Sequence, residues 1–334
     1  MDLFQLTRAL VHIESITENE LVIGEYLYWY LKNLAAEFRG EVETWHVAPN
    51  RFNIFAWWGT PSIVFSTHID TVPPFFPSGE DDTKIWGRGS CDTKGIIAAM
   101  IFAMRELLHE GTRNIGLLLL VGEERNSAGA LAAAHLNRGA KVIINGEPTE
   151  NKLALGSKGA LRFTLTATGR MAHSAYPELG ESAIEKLLDA LEAVRKLPLP
   201  TDDLLGASTL NIGTIQGGRA PNVIPDEAQA ELFIRLVDDG RATKEALRQA
   251  VDKYVALHEV LTVPAVRLGS LPGFETTVVA FTTDIPAFGK NWGIPYLLGP
   301  GSINVAHTLD EHIPKKQLVE AVQIYKQMVH ALAH

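Results

Sequence analysis

The chain has a single cysteine, Cys91, among 334 residues, so no internal disulfide can staple the fold. No apolar run approaches the roughly 20 residues that span a bilayer, so no membrane partner is expected. The N-terminal stretch MDLFQLTRAL lacks the basic segment and apolar core of a secretory signal. These absences lead us to expect a cytoplasmic protein. There is also no Lys/Arg-rich run. With 30 basic and 39 acidic residues the net charge is −9, which argues against nucleic acid as a main partner. Neither the Walker pattern nor the dinucleotide fingerprint is present, and no HExxH occurs, which excludes a single-zinc protease of that design. No repeat or low-complexity tract is found. What is present is an apolar fraction of 46% and enough chain for two domains of ordinary size.

Apolar periodicity predicts a helix near 18–37 and strands near 41–47, 52–58 and 62–67. A helix near 93–110, a strand near 115–121, a helix near 126–137 and a strand near 141–145 follow. Alternating helices and nearly continuous apolar strands imply an α/β domain with a mostly parallel sheet covered on both faces. The pattern changes near residue 156. A strand near 160–168, a helix near 180–196, strands near 208–216 and 228–237, a helix near 242–257 and a strand near 262–268 give a ferredoxin-like order. The segment 281–334 returns to the α/β style. The expected architecture is a catalytic domain over 1–155 and 269–334, interrupted by an inserted α+β domain over 156–268.

Acidic and histidine residues recur at the ends of the apolar runs, where ligand sites of α/β sheets lie. His68 and Asp70 close SIVFSTHID and, two apart on a strand end, point the same way. A carboxylate there can fix the tautomer of a metal-bound His, although a buried structural His–Asp pair reads equally well. Asp92 lies in the Gly-rich WGRGSCDTKG before a helix, as an N-cap or as a bridge between metals. Cys91 beside it has no His partner in the sequence and reads as a small buried residue. Glu123 and Glu124 follow GLLLLV, and Glu147 follows KVIING. Buried acids are costly unless paired or metal-bound, so the adjacent pair suggests one ligand and one general base, against a plain solvated loop start. His307 lies in LLGPGSINVAHTLDE, where a surface loop His is the alternative. The other histidines (His12, His46, His109, His135, His258, His312, His330 and His334) read as surface or core residues.

Taken together, the stretches STHIDTVP, GRGSCDTKGIIAAM, VGEER, NGEPT, GRMAHSAYPELGESAI, GGRAPNVIPDEAQAELFIRL and LGPGSINVAHTLDEHI resemble the M20 family of metal-dependent aminoacylases and peptidases. They run over essentially the whole chain, and the last looks most like acetylornithine deacetylases. The resemblance implies an inserted lid or dimerisation domain and two divalent ions, zinc by expectation, with cobalt or manganese also acceptable to such donors. It implies Asp92 as the bridge, His68 and Glu147 on one metal, Glu124 and His307 on the other. Glu123 would be the general base, and Asp70 would orient His68. His173 would be the donor to the oxyanion, supplied by the other subunit in dimeric members. Asn222 and Arg235 match positions that hold a substrate carboxylate, with Arg219, Gly301 and Ser302 as further contacts. Asn222 could instead shape a turn, and Arg235 could pair within the sheet.

The expected activity is hydrolysis of an N-acyl amino acid, N-acetylornithine first, within arginine or lysine biosynthesis. A succinyl-diaminopimelate desuccinylase or a dipeptidase/carboxypeptidase is the alternative, and a homodimer through the inserted domain is expected. A non-catalytic binding protein on the same fold would have lost the base or a ligand, and every candidate is present.

Overall fold

A computed structural model describes residues 1–333 apart from 252 and 254. His334 lies outside the described residues. The chain divides into one unit of residues 1–155, 268–277 and 283–334 and a second of residues 156–267 and 278–282.

The first unit is built on a sheet whose central strands are buried on both faces. Its order is Glu41–Ala48, Arg51–Trp58, Ile115–Leu120, Ile63–His68, Val142–Asn145, Ile294–Leu297, then the start of Leu153–Ser157 at Ala154. Ile63–His68 runs parallel to both its neighbours, and Val142–Asn145 runs parallel to Ile294–Leu297. Arg51–Trp58 is antiparallel to both of its neighbours. The sheet is therefore mixed, parallel only at its centre, where a mostly parallel sheet was expected. Pro49 and Asn50 make the connection of the first two strands, with Asn50 left-handed at φ 60°. So short a turn can only return the chain antiparallel.

Alternate residues of the central strands feed two cores. Ile63, Phe65, Leu117 and Leu119 pack with the helices Leu3–Val11, Leu21–Phe38, Gly95–His109 and Lys315–Leu332. Val64, Leu118 and Leu120 face Ala130, Ala133, Phe288 and Trp292 on the other side. The expected helix 126–137 is instead two short helices, Glu123–Asn126 and Ala128–Ala133, parted at Ser127 with φ 52°. A left-handed residue cannot continue a right-handed helix. Among the described residues no helix is long and apolar enough to cross a membrane.

The second unit has the expected strand–helix–strand–strand–helix–strand order. Its antiparallel sheet runs Thr209–Gly217, Glu227–Leu236, Gly159–Thr168, Ala256–Val263. Helices Ala183–Arg195 and Arg241–Val251 cover one face through Leu187, Leu191, Leu247 and Val251. The second helix was expected to reach 257; residues 252 and 254 of that span lie outside the described residues. From Ala256 the chain is already a strand, six residues earlier than expected, because pairing with Gly159–Thr168 overrides local helix propensity.

Candidate metal centre

The parallel centre of the sheet gives the site its place. His68 lies opposite Leu120, Ser66 opposite Asn145, and Asn145 opposite Leu297, so four strands end at one edge. The residues that follow are Asp70, Glu123 and Glu124, Glu147, and the loop to His307. Two of the chain continuations are tied at the edge: Ile69 N–H donates to Leu120 O at 2.8 Å, and Leu298 N–H to Asn145 O at 3.1 Å. Asp92 arrives from a separate loop after Trp86. It has φ −125° and ψ 87°, and the following helix is capped by Lys94 without a side-chain bond. Asp92 is thus not the N-cap that its position suggested.

Its carboxylate faces two histidines. Oδ1 lies 3.0 Å from His68 Nε2, and Oδ2 lies 3.3 Å from His307 Nε2. His307 Nε2 is also 3.0 Å from Glu124 Oε2. His68, Asp92 and Glu124 can each offer a ligand atom within 4.8 Å of the others. Glu147 is buried and its Oε1 has no hydrogen-bond partner. Cys91 is buried beside this loop, as expected of a small buried residue, and burial first, then Asp92, pushes its thiol well up.

The second ring nitrogen of His68 settles its tautomer. Nδ1 lies 3.0 Å from the main-chain carbonyl of Asp70, which can only accept. A proton therefore sits on Nδ1, and Nε2 is the ring nitrogen that a cation would take in place of a proton. The Asp70 carboxylate is farther from Nδ1, at 3.5 Å. It spends its bonds on the other side. Oδ1 accepts from the N–H groups of Gly122 and Glu123 at 2.9 and 3.1 Å, and Oδ2 from Glu124 N–H at 3.3 Å and the Thr17 hydroxyl at 2.8 Å. Asp70 thus holds the turn that carries the two glutamates, a role its sequence position did not reveal. Asn53 braces the same turn, accepting from Val121 N–H at 3.2 Å and donating to Gly129 O at 2.8 Å.

The electrostatics are those of a donor set with surplus negative charge. Burial opposes a proton on His68, yet its bonds to Asp70 and Asp92 and the charges of Asp92 and Glu123 hold it well above its usual range. Bonds to Asp92 and Glu124 raise His307 to about 10. Burial pushes Glu147 well up, and Asp92 adds to this. Burial likewise raises Glu123, with Glu147, Asp284 and Glu124 adding against the pull of His68. Asp284 was not singled out by sequence. It is buried, one of its oxygens has no partner, and burial raises it to about 7. Its only sequence signal is an Asp two residues before a proline at a helix start.

Two candidates beside the site have their polar groups engaged. Gly301 N–H donates to Gln317 Oε1 at 2.7 Å, and Ser302 Oγ donates to Glu150 at 2.9 Å. In the second unit, the structure brings His173 and Asn222 together. His173 pairs with Val223, and Ser174 N–H donates to Asn222 O at 3.0 Å. Both are exposed. Arg219 is engaged with Asp226 at 3.2 Å. Arg235 stacks 4.7 Å over the Phe233 ring and has no ion pair among the described residues. It stands at the far end of the strand Glu227–Leu236, so about 26 Å of strand separates it from the Asn222 end. The other described histidines are exposed, or half-buried in the case of His312.

Comparison with known proteins agrees with this fold. A family model described as a peptidase dimerisation domain matches residues 155–260. A peptidase M20 domain-containing protein of Schizosaccharomyces pombe is 41% identical over 98% of this chain and 84% of its own length. A probable carboxypeptidase of Aspergillus niger is 39% identical over 97% of this chain and 88% of its own. Among solved structures, an M20 family metallo-carboxypeptidase from Sulfolobus solfataricus matches with TM-score 0.80 at 17% identity, covering 99% of both chains. The chain belongs to the M20 peptidase family. It is a hydrolase that acts on amide bonds.

Proposed function

We propose that this hydrolase uses two divalent metal ions to cleave an amide whose amine side carries a free α-carboxylate: the C-terminal bond of a dipeptide or short peptide. The observation that carries the metal reading is Asp92, whose two oxygens each face a different histidine. A carboxylate flanked in this way is built to bridge. The donor set fits: two imidazoles and carboxylates suit zinc, and also cobalt or manganese. The unpartnered, buried Glu147 Oε1 is a ligand atom with nothing else to bind. His68 and Glu147 would hold one ion, Glu124 and His307 the other, with Asp92 between them. When bound, the ions supply Lewis acidity to the carbonyl and to water.

The chain's own residues do the rest. Glu123, the glutamate left out of the ligand set, takes a proton from the attacking water as its oxygen bonds to the carbonyl carbon. It returns that proton to the amine nitrogen as the C–N bond breaks. Asp70 keeps Glu123 and Glu124 in register through their main-chain N–H groups. His173 is the proposed donor to the developing oxyanion, and Asn222 beside it is the proposed partner of the substrate carboxylate; Arg235, at the far end of its strand, cannot share that carboxylate within one chain. We also propose a homodimer through the second unit and a cytoplasmic location.

The fungal relatives' naming as probable carboxypeptidases supports the peptide substrate. The loop LGPGSINVAH, with its likeness to acetylornithine deacetylases, supports a second reading, an N-acetyl amino acid. The test is a panel of dipeptides, the same dipeptides with C-terminal amides, N-acetylornithine, N-acetylcitrulline and succinyl-diaminopimelate, with metal analysis on each sample. Turnover of free dipeptides and none of the amidated ones is expected. Turnover confined to N-acetylornithine would transfer the assignment to the deacetylase. Inactivity of zinc- and cobalt-loaded protein towards every member would sink both.

A further inference from the structure

Glu311 and Arg88 are buried, at 0% and 1% exposure, and neither belongs to the proposed donor set. Glu311 Oε2 pairs with Arg88 Nη1. Arg88 is itself fixed, with Nε donating to Pro74 O at 3.2 Å and its guanidinium 5.1 Å over the Phe76 ring. The other oxygen, Oε1, accepts three main-chain N–H groups of the turn that presents Asp92: Gly89 at 2.8 Å, Cys91 at 3.3 Å and Asp92 at 3.2 Å. One side-chain oxygen thus organises the whole turn.

Glu311 also closes the loop that carries His307, four residues upstream. Just beyond it, His312, Ile313 and Pro314 pair antiparallel with Trp86, Ile85 and Lys84, the strand that leads into the Asp92 turn. Gly87 N–H donates to Glu311 O at 3.1 Å, and Cys91 Sγ to Ser302 O at 3.4 Å. The Asp92 turn and the His307 loop are therefore fastened at both ends and at the middle. The middle fastening is the one made by a charged side chain. A buried ion pair is weak evidence for stability, since apolar residues of the same volume often serve a fold as well.

We propose that Glu311, anchored by Arg88, is a positioning residue that registers the Asp92 turn against the His307 loop, so that the two halves of the metal centre form as one unit. This rests on the two-metal reading above. Ligands held by an outer carboxylate typically lose about 10- to 100-fold in metal affinity when it is removed.

The experiment compares wild type with Glu311→Ala, Glu311→Asp and Glu311→Gln. The readouts are chelator-competition titration of zinc, the visible spectrum of the cobalt-loaded protein, and thermal melting with and without metal. Glu311→Ala should lose about 10-fold or more in affinity for both ions and shift the cobalt bands. Its metal-induced rise in melting temperature should shrink. Glu311→Asp keeps the charge for Arg88 but draws the acceptor back by one methylene, so a folded protein with the same affinity loss is expected. Glu311→Gln keeps an oxygen for the three N–H groups but turns its amide N–H2 toward Arg88, so it should lose affinity too, though less than Glu311→Ala. Wild-type affinity and spectrum in Glu311→Asp, or in a folded Glu311→Ala, overturn the proposal. So does a melting-temperature loss that is equal with and without metal. Fewer than two ions in the wild type would overturn the two-metal reading, and this inference with it.

Discussion

Asp70 shows how one side chain can serve two neighbours. Its carbonyl accepts from His68 and sets the tautomer, while its carboxylate takes three N–H groups of the turn bearing Glu123 and Glu124. Glu123→Gln should therefore lower kcat about 10²- to 10⁴-fold with metal content unchanged, because the turn remains held by Asp70. Metal analysis and kinetics on one sample check this, and retained activity would show that the base is misassigned. A pH effect belongs to Asp284, raised from the ordinary 3.8 to about 7 by burial. Between those values the folded chain keeps a proton that the unfolded chain releases. Stability from this group therefore falls as pH rises through that window, by at most about 1.4 kcal/mol per pH unit, and levels off above it. Asp284→Asn should stabilise the metal-free protein at about pH 7.5 far more than at about pH 4.5. Denaturant melts that run parallel across that range would refute the assignment.

Elements carry the site because their ends coincide. His68, Glu123, Glu124 and Glu147 were legible in the sequence, since each closes an apolar run and strand ends are where α/β sheets place ligands. The turn at 122–126 was not legible. It read as a strand end or loop start ahead of a helix at 126–137, and its geometry depends on Asp70 and Asn53, distant in the chain. Gly122 is its hinge, with φ 82° and a Cβ position 2.7 Å from Arg51 Nη2. A side chain there costs about 1–2 kcal/mol for the left-handed backbone and also displaces Arg51 from Glu20. Gly122→Val should thus lower both stability and metal affinity, read by melting and by zinc titration. Unchanged zinc affinity would mean that the turn is looser than its bonds imply.

At the scale of the molecule, metal binding is linked to folding. Ions that bind only the folded chain should raise its melting temperature, by about 2.7 kcal/mol of stabilisation at 100-fold excess over Kd. Stripping with a chelator should reverse the rise. A melting curve indifferent to zinc would count against the metal centre as a whole. The proposed homodimer is checked by sedimentation, and a fully active monomer would remove the reason for assigning His173 a role in the partner's reaction.

The sequence by itself determined the α/β strands, the ferredoxin-like order of the second unit and the candidate metal donors, because burial periodicity and residue chemistry are local properties. The tertiary structure alone decided that the sheet is mixed, that the strand at 256 displaces a helix, that Asp92 faces two histidines, and that Glu311 and Arg88 lie beneath it. Those outcomes depend on register and on contacts between residues far apart in the chain, such as Arg88 and Glu311, and no window of local sequence contains both partners.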